Sequence, residues 1–149
     1  SAASDVYKRQ LTRSAVVNDR LETSLPGIFV AGNALVVNDL VDYAVEQGEV
    51  AAQGASEFIF NKGINAAQWK KVKLNGNIRF FVPQLISGEK DVTMYGRVIS
   101  PKEEVKLKIS EINKEISFLR VRPSEMIRLR LSKDELSGVK TKSLTFSIS

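Results

Sequence analysis

Hydrophobic positions follow two periods along the chain, and the period changes near residue 68. Before it, Leu40, Val41, Ala44, Gly48, Ala51, Ala52, Ala55, Phe58 and Ile59 recur at the spacing that lines one face of a helix. Asn38 and Asp39 offer an N-cap, so the spacing predicts a helix over residues 39–60. Ahead of it, Pro26-Gly27 signals a turn, and Ile28-Phe29-Val30-Ala31 is a short apolar run closed by Gly32-Asn33. That run has the pattern of a fully buried, parallel strand. Beyond residue 68 the period is two. Val105, Leu107 and Ile109 alternate with Lys106 and Lys108; Ile127, Leu129 and Leu131 with Arg128 and Arg130; Leu144, Phe146 and Ile148 with Thr145 and Ser147. With residues 78–82, 92–99 and 116–122 these make six strands separated by Ser87-Gly88, Ser100-Pro101 and Arg122-Pro123. The expected fold class is a short α/β segment followed by an all-β, immunoglobulin-like antiparallel sandwich.

Small residues occupy the centre of the predicted helix. Ala44, Gly48, Ala52 and Ala55 form a stripe, and Gly48 and Gly54 each cost about 1 kcal/mol against alanine in a helix interior. Something is therefore expected to approach that face closely. Tight packing on a sheet is one reading; a cofactor lying at the helix N-terminus is the other.

Charge divides the chain at the same place as period. Residues 11–68 carry three basic and seven acidic side chains, a net of −4, and residues 69–149 carry seventeen and nine, a net of +8. The Gly- and Asn-containing stretch 61–68 suits a connection, so a boundary is expected between residues 11–68 and 69–149. The chain has neither cysteine nor histidine, which removes disulfides, thiol nucleophiles, Ser-His-Asp catalysis and the usual zinc ligand sets from the residues present. No apolar run is long enough for a membrane span. The basic residues of the second part sit mostly at alternate strand positions with acidic ones between them. That is the pattern of a solvated sheet face first, a docking surface for a protein or another subunit second, and a nucleic-acid surface last.

Residues 1–10, SAASDVYKRQ, have no hydrophobic period and no capping logic. Written back into codons they resemble the transposase adapter used in preparing sequencing libraries. The biological sequence is then expected to begin near Leu11 and to be the C-terminal end of a larger protein.

The stretch LETSLPGIFVAGNALVVNDLVDYAVEQGEVAAQGASEFI, residues 21–59, resembles the last FAD-contacting segment of the pyridine nucleotide-disulfide oxidoreductase superfamily. Members show a T-S-x-P-G-[IV]-[FY]-A-x-G-D strand and a helix with G-x-x-A-A. Here the matching residues are Thr23, Ser24, Pro26, Gly27, Ile28, Phe29, Ala31 and Gly32, then Gly48, Ala51 and Ala52; Val30 stands where alanine is usual. The resemblance implies that residues 11–68 are the C-terminal remnant of a Rossmann-like FAD-binding domain. It also implies a parent that moves electrons between a nicotinamide cofactor, NAD(P), and FAD to an acceptor. Ribityl binding falls by resemblance to Asn33, after Gly32, where the family usually has aspartate, and flavin contact falls to the backbone around Asp39, Leu40 and Val41. Asn33 loses the charge-assisted bond of a carboxylate but keeps an amide oxygen that accepts. Asp39 competes with the flavin for the positive helix end, or is an ordinary N-cap facing away from it. Asp39-Leu40-Val41-Asp42 is also similar to a subgroup of bacterial NAD(P)/FAD-dependent oxidoreductases encoded beside glycerol-3-phosphate dehydrogenases, in which a β-rich tail follows the flavin domain.

The GxGxxG turn that holds the FAD pyrophosphate is absent from this sequence, so the 149 residues alone are not expected to be a working enzyme. The alternative is a non-catalytic interaction module, in which the basic β part docks an electron-transfer protein or forms a homo-oligomer. Neither metal nor catalytic side chains are expected here, nucleic acid is disfavoured, and the expected location is cytoplasmic.

Overall fold

A computed structural model describes residues 16–61 and 69–149 of the chain. The adapter-like residues 1–10 and most of the connection at 61–68 lie outside the described residues. The chain divides into two compact units, Ser1–Ala67 and Gln68–Ser149.

The second unit holds eight strands in two sheets. They are β1 (Lys70–Gly76), β2 (Phe80–Val82), β3 (Leu85–Ile86), β4 (Val92–Arg97), β5 (Lys102–Ile109), β6 (Lys114–Val121), β7 (Ile127–Leu131) and β8 (Ser143–Ile148). The five-stranded sheet has the order β3-β1-β8-β5-β6 and the three-stranded sheet the order β2-β4-β7. All pairs are antiparallel except β1–β8, which runs parallel from Lys71 opposite Ser143 to Gly76 opposite Ile148. The expectation of a β-rich unit with two antiparallel-rich sheets holds, with that one parallel pair as the departure. Period-two alternation does its work directly: Val105, Leu107 and Ile109, Ile127, Leu129 and Leu131, and Leu144, Phe146 and Ile148 are all buried while the residues between them face outward. One core draws on both sheets, and Phe81 of the smaller meets Phe146 of the larger with ring centroids 5.0 Å apart.

Two strands and a helix here were not expected. β1 alternates only Val72 and Leu74 against three lysines, too short an apolar signal to stand out, and β3 has two residues. The helix α2 (Lys133–Ser137; the longer helix of the first unit is α1, below) is closed by a capping box. The Ser132 hydroxyl accepts from the Glu135 N–H at 3.1 Å, and the Glu135 carboxylate accepts from the Ser132 N–H at 3.0 Å. The S-x-x-E signature was readable in the sequence; the helix behind it is just long enough to bury Leu136.

The first unit is built on a hairpin and one helix, α1 (Val41–Asn61). The helix starts two residues later than the spacing suggests. The larger correction concerns residues 28–31, which are neither fully buried nor part of a parallel ladder. Pro26-Gly27 forms a tight turn, with Gly27 at φ +83° and the Ile28 N–H donating to the Leu25 carbonyl at 3.1 Å. The turn folds the run back on residues 21–23: Thr23 N–H donates to Ile28 O at 2.8 Å, Val30 N–H donates to Leu21 O at 2.9 Å, and Glu22 bridges Phe29 antiparallel. A buried parallel strand needs ladder partners on both edges. Among the described residues this run has a partner only on the hairpin side, and Ile28 is 52% exposed.

Hairpin and helix are joined by a mostly buried ionic cluster. Arg20 donates from Nε to Glu57 on α1 at 3.0 Å and from Nη1 to the neighbouring Asp19 at 3.1 Å, while Asn18 Oδ1 accepts the Arg20 and Glu22 N–H groups. Phe29 meets Phe58 edge-on at 6.4 Å. The close approach forecast for the small-residue stripe occurs instead at Gly54, where a Cβ would lie 2.7 Å from the Arg20 carbonyl oxygen; a Cβ at Gly48 would meet nothing within 4 Å.

Candidate functional site

The residues singled out by resemblance lie between the hairpin and α1. Gly32 has φ +62°, a conformation that glycine adopts without cost, and opens a 3-10 turn, Gly32–Ala34. The turn is closed by Leu35 N–H donating to Gly32 O at 2.9 Å, and it drives Leu35 and Val36 into the interior. Asn33 is exposed at the turn. Its Oδ1 accepts from Asn38 N–H at 3.1 Å and from Asn38 Nδ2 at 3.3 Å. Asn38 in turn holds Gln47, nearly two turns into α1, through Gln47 Nε2 to Asn38 Oδ1 at 2.8 Å and Asn38 Nδ2 to Gln47 Oε1 at 3.3 Å.

Three amides therefore link the 3-10 turn, the loop and the helix. Gln47 is 1% exposed, and its partner Asn38 satisfies both ends of its amide, as a buried amide requires. Sequence reasoning named Asn33 and gave Asn38 an N-cap role; the structure engages Asn38 with Asn33, Gln47 and the Val36 carbonyl instead. Gln47 was missed, because a polar residue at the edge of an apolar helical stripe carries no signal until its burial is seen. Asp39, Leu40 and Val41 are all exposed around the helix start, Leu40 at 52% and Val41 at 79%, and Val37 and Val45 extend the apolar surface there. Asn33, Asp39 and Leu40 are thus all placed at the entry to α1. No helix in the described residues is long and apolar enough to cross a membrane, and the described residues hold no cluster of three acidic or other ligating side chains suited to a metal.

The second candidate surface is the outward face of the five-stranded sheet. β1 contributes Lys71 and Lys73, directly opposite Ser143 and Thr145 of β8. On the other side of β8, Lys108 of β5 lies opposite Ser147. A row of hydroxyls thus runs down the central strand between two lysine-bearing strands that are about 10 Å apart. Carboxylates near this face are already engaged. Glu115 pairs with Lys106 at 3.2 Å, and Glu111 accepts from the Thr145 N–H at 2.6 Å and from its hydroxyl at 2.8 Å. Burial pushes the Glu111 carboxyl up, but the two bonds from Thr145, its own backbone N–H and the charge of Lys73 together outweigh it and hold the group below its ordinary value.

No family model, no curated protein and no solved structure matches this chain.

Proposed function

We propose that this chain is the C-terminal part of a cytoplasmic FAD-dependent NAD(P)H oxidoreductase of the pyridine nucleotide-disulfide superfamily. In this reading residues 21–59 supply its last flavin-contacting segment, and residues 69–149 form an immunoglobulin-like sandwich outside the redox centre. The observation that carries the reading is the T-S-x-P-G-I-F-x-A-G run followed by G-x-x-A-A, set on a glycine of positive φ that turns the chain toward a helix start. Bound FAD would supply hydride acceptance and onward electron transfer. The residues present suit it at the helix entry, where Tyr43 N–H is closed on the Leu40 carbonyl at 3.1 Å, the first N–H groups of a helix lie outside its own i−4 ladder, and Leu40 and Val41 are exposed. Asn33 differs from the simple expectation that its oxygen takes a ribityl hydroxyl. Both lone pairs of Oδ1 are directed to Asn38, so the group it offers a ligand is the amide nitrogen, as a donor. The uncompensated basic charge of the second unit serves an electron-transfer protein or a second subunit.

The test is flavin retention by the protein expressed with whatever coding sequence lies upstream of residue 11. Asn33→Leu should weaken FAD binding by about 1–3 kcal/mol, while Arg128→Ala with Arg130→Ala leaves flavin content unchanged. An extended protein that purifies without flavin, or arginine changes that empty the site while Asn33→Leu does not, would overturn the reading.

A further inference from the structure

We propose that the outward face of the five-stranded sheet, centred on Lys71, Lys73 and Lys108 around the hydroxyl row of β8, docks an acidic protein surface. The inference rests on the partner-binding part of the proposed function and adds the face and its chemistry. Position comes first: the three lysines belong to strands that flank one central strand, so their ammoniums rise from a flat floor of serine and threonine that a partner can approach closely. Charge comes second. On this face Lys71, Lys73, Lys106 and Lys108 outnumber the carboxylates: Glu115 pairs with Lys106 and lies opposite Lys108, Glu111 keeps its charge near Lys73 while accepting from Thr145, and Lys71 has no ion pair among the described residues.

The arginines of the smaller sheet differ. Arg130 is held by Asp91 at 3.0 Å, and Arg97 donates to the Pro123 carbonyl at 3.1 Å. The kind of anion follows from what the face lacks. Among the described residues the outward positions of β1, of β8 and of β5 from Lys106 carry no aromatic ring on which a base or a sugar would stack, and the exposed arginine of β6, Arg120, lies opposite Glu103 with its Nε 4.0 Å from that carboxylate. Lysine point charges over hydroxyls suit scattered carboxylates of another protein, and they speed encounter more than they tighten the complex.

The experiment titrates the intact chain at low ionic strength with poly-L-glutamate, and separately with oligo-dT of equal charge, following amide chemical shifts. Shifts should cluster on β1, β8 and β5 and vanish as salt is raised. Lys71→Gln, Lys73→Gln and Lys108→Gln together should weaken poly-glutamate at least tenfold, and Arg128→Gln with Arg130→Gln less than twofold, both variants keeping the wild-type shift pattern elsewhere. Undiminished binding in the lysine variant, shifts centred on β7 or on α1, or tighter binding of oligo-dT through the same lysines would overturn the proposal. Flavin retention, the readout for the parent activity, is not involved, so either idea can fail without the other.

Discussion

Gly48 and Gly54 are six residues apart on one helix and answer the same substitution in opposite ways. At Gly48 an added methyl meets open space, so Gly48→Ala removes a helix-interior glycine at no steric cost and should stabilise α1 by up to about 1 kcal/mol. At Gly54 it meets the Arg20 backbone at 2.7 Å, and Gly54→Ala should push the helix off the hairpin and disturb the Arg20–Glu57 bond. Amide exchange of α1 reads both changes: slower for the first, faster for the second. In the other unit, Phe146 is fully buried against Phe81 in the shared core, so Phe146→Ala should cost about 3–5 kcal/mol in denaturant unfolding. Neither glycine's environment is legible in the sequence, since each reads only as a glycine in a helix interior; the partner across the packing distinguishes them.

At the scale of elements, α2 shows how five residues are held. Ser132→Ala should cost the second unit about 1 kcal/mol by leaving the Glu135 N–H without its cap. Glu135 also receives the Lys114 ammonium of β6 at 2.7 Å, and that bond first, with the Ser132 N–H second, holds its carboxyl below the ordinary value. A carboxylate whose folded pKa is lowered contributes stability that is complete above its unfolded pKa and is lost as pH falls through the folded one. Glu111 is lowered as well. The melting temperature of this unit should therefore be level from neutral pH to about 5 and decline below about pH 4, where ordinary carboxylates begin to protonate. Glu135→Gln should start lower at neutral pH and decline less steeply in acid. A parallel acid limb in that variant would show that other groups set it.

At the scale of the whole molecule the two units have unequal means of support. Four apolar side chains are buried in the described part of the first and twenty-one in the second. Burial is the main favourable term in folding, so opening the first unit costs less. Amides of α1 should exchange faster than those of β4, β5, β7 and β8; equal protection across both units would contradict this. The first unit also leaves Val41, Val45, Ile59 and Phe60 of α1 open, together with Leu25 and Val37. The 149-residue chain should purify colourless and bind no FAD measurably by fluorescence titration, because the helix-entry contacts are only part of such a site. A yellow preparation with stoichiometric flavin would refute that.

Local chemistry was legible in the sequence. Alternation of Val105, Leu107 and Ile109 or of Leu144, Phe146 and Ile148 with polar residues determines which face of each strand is buried, because successive side chains point to opposite sides. The helical spacing after residue 40 and the Pro26-Gly27 turn are likewise properties of the residues themselves. Tertiary structure decided what each face meets. Residues 28–31 read as a buried strand on composition, yet a strand is defined by its neighbours, and the turn supplied an antiparallel one. β1 joined β8 in parallel because long-range pairing, not its two apolar residues, selects a ladder. Gln47 became a buried partner of Asn38 only when the loop folded over α1, and Lys71, Lys73 and Lys108, as far as 37 positions apart in sequence, became one surface only because β8, the last strand, inserted between β1 and β5.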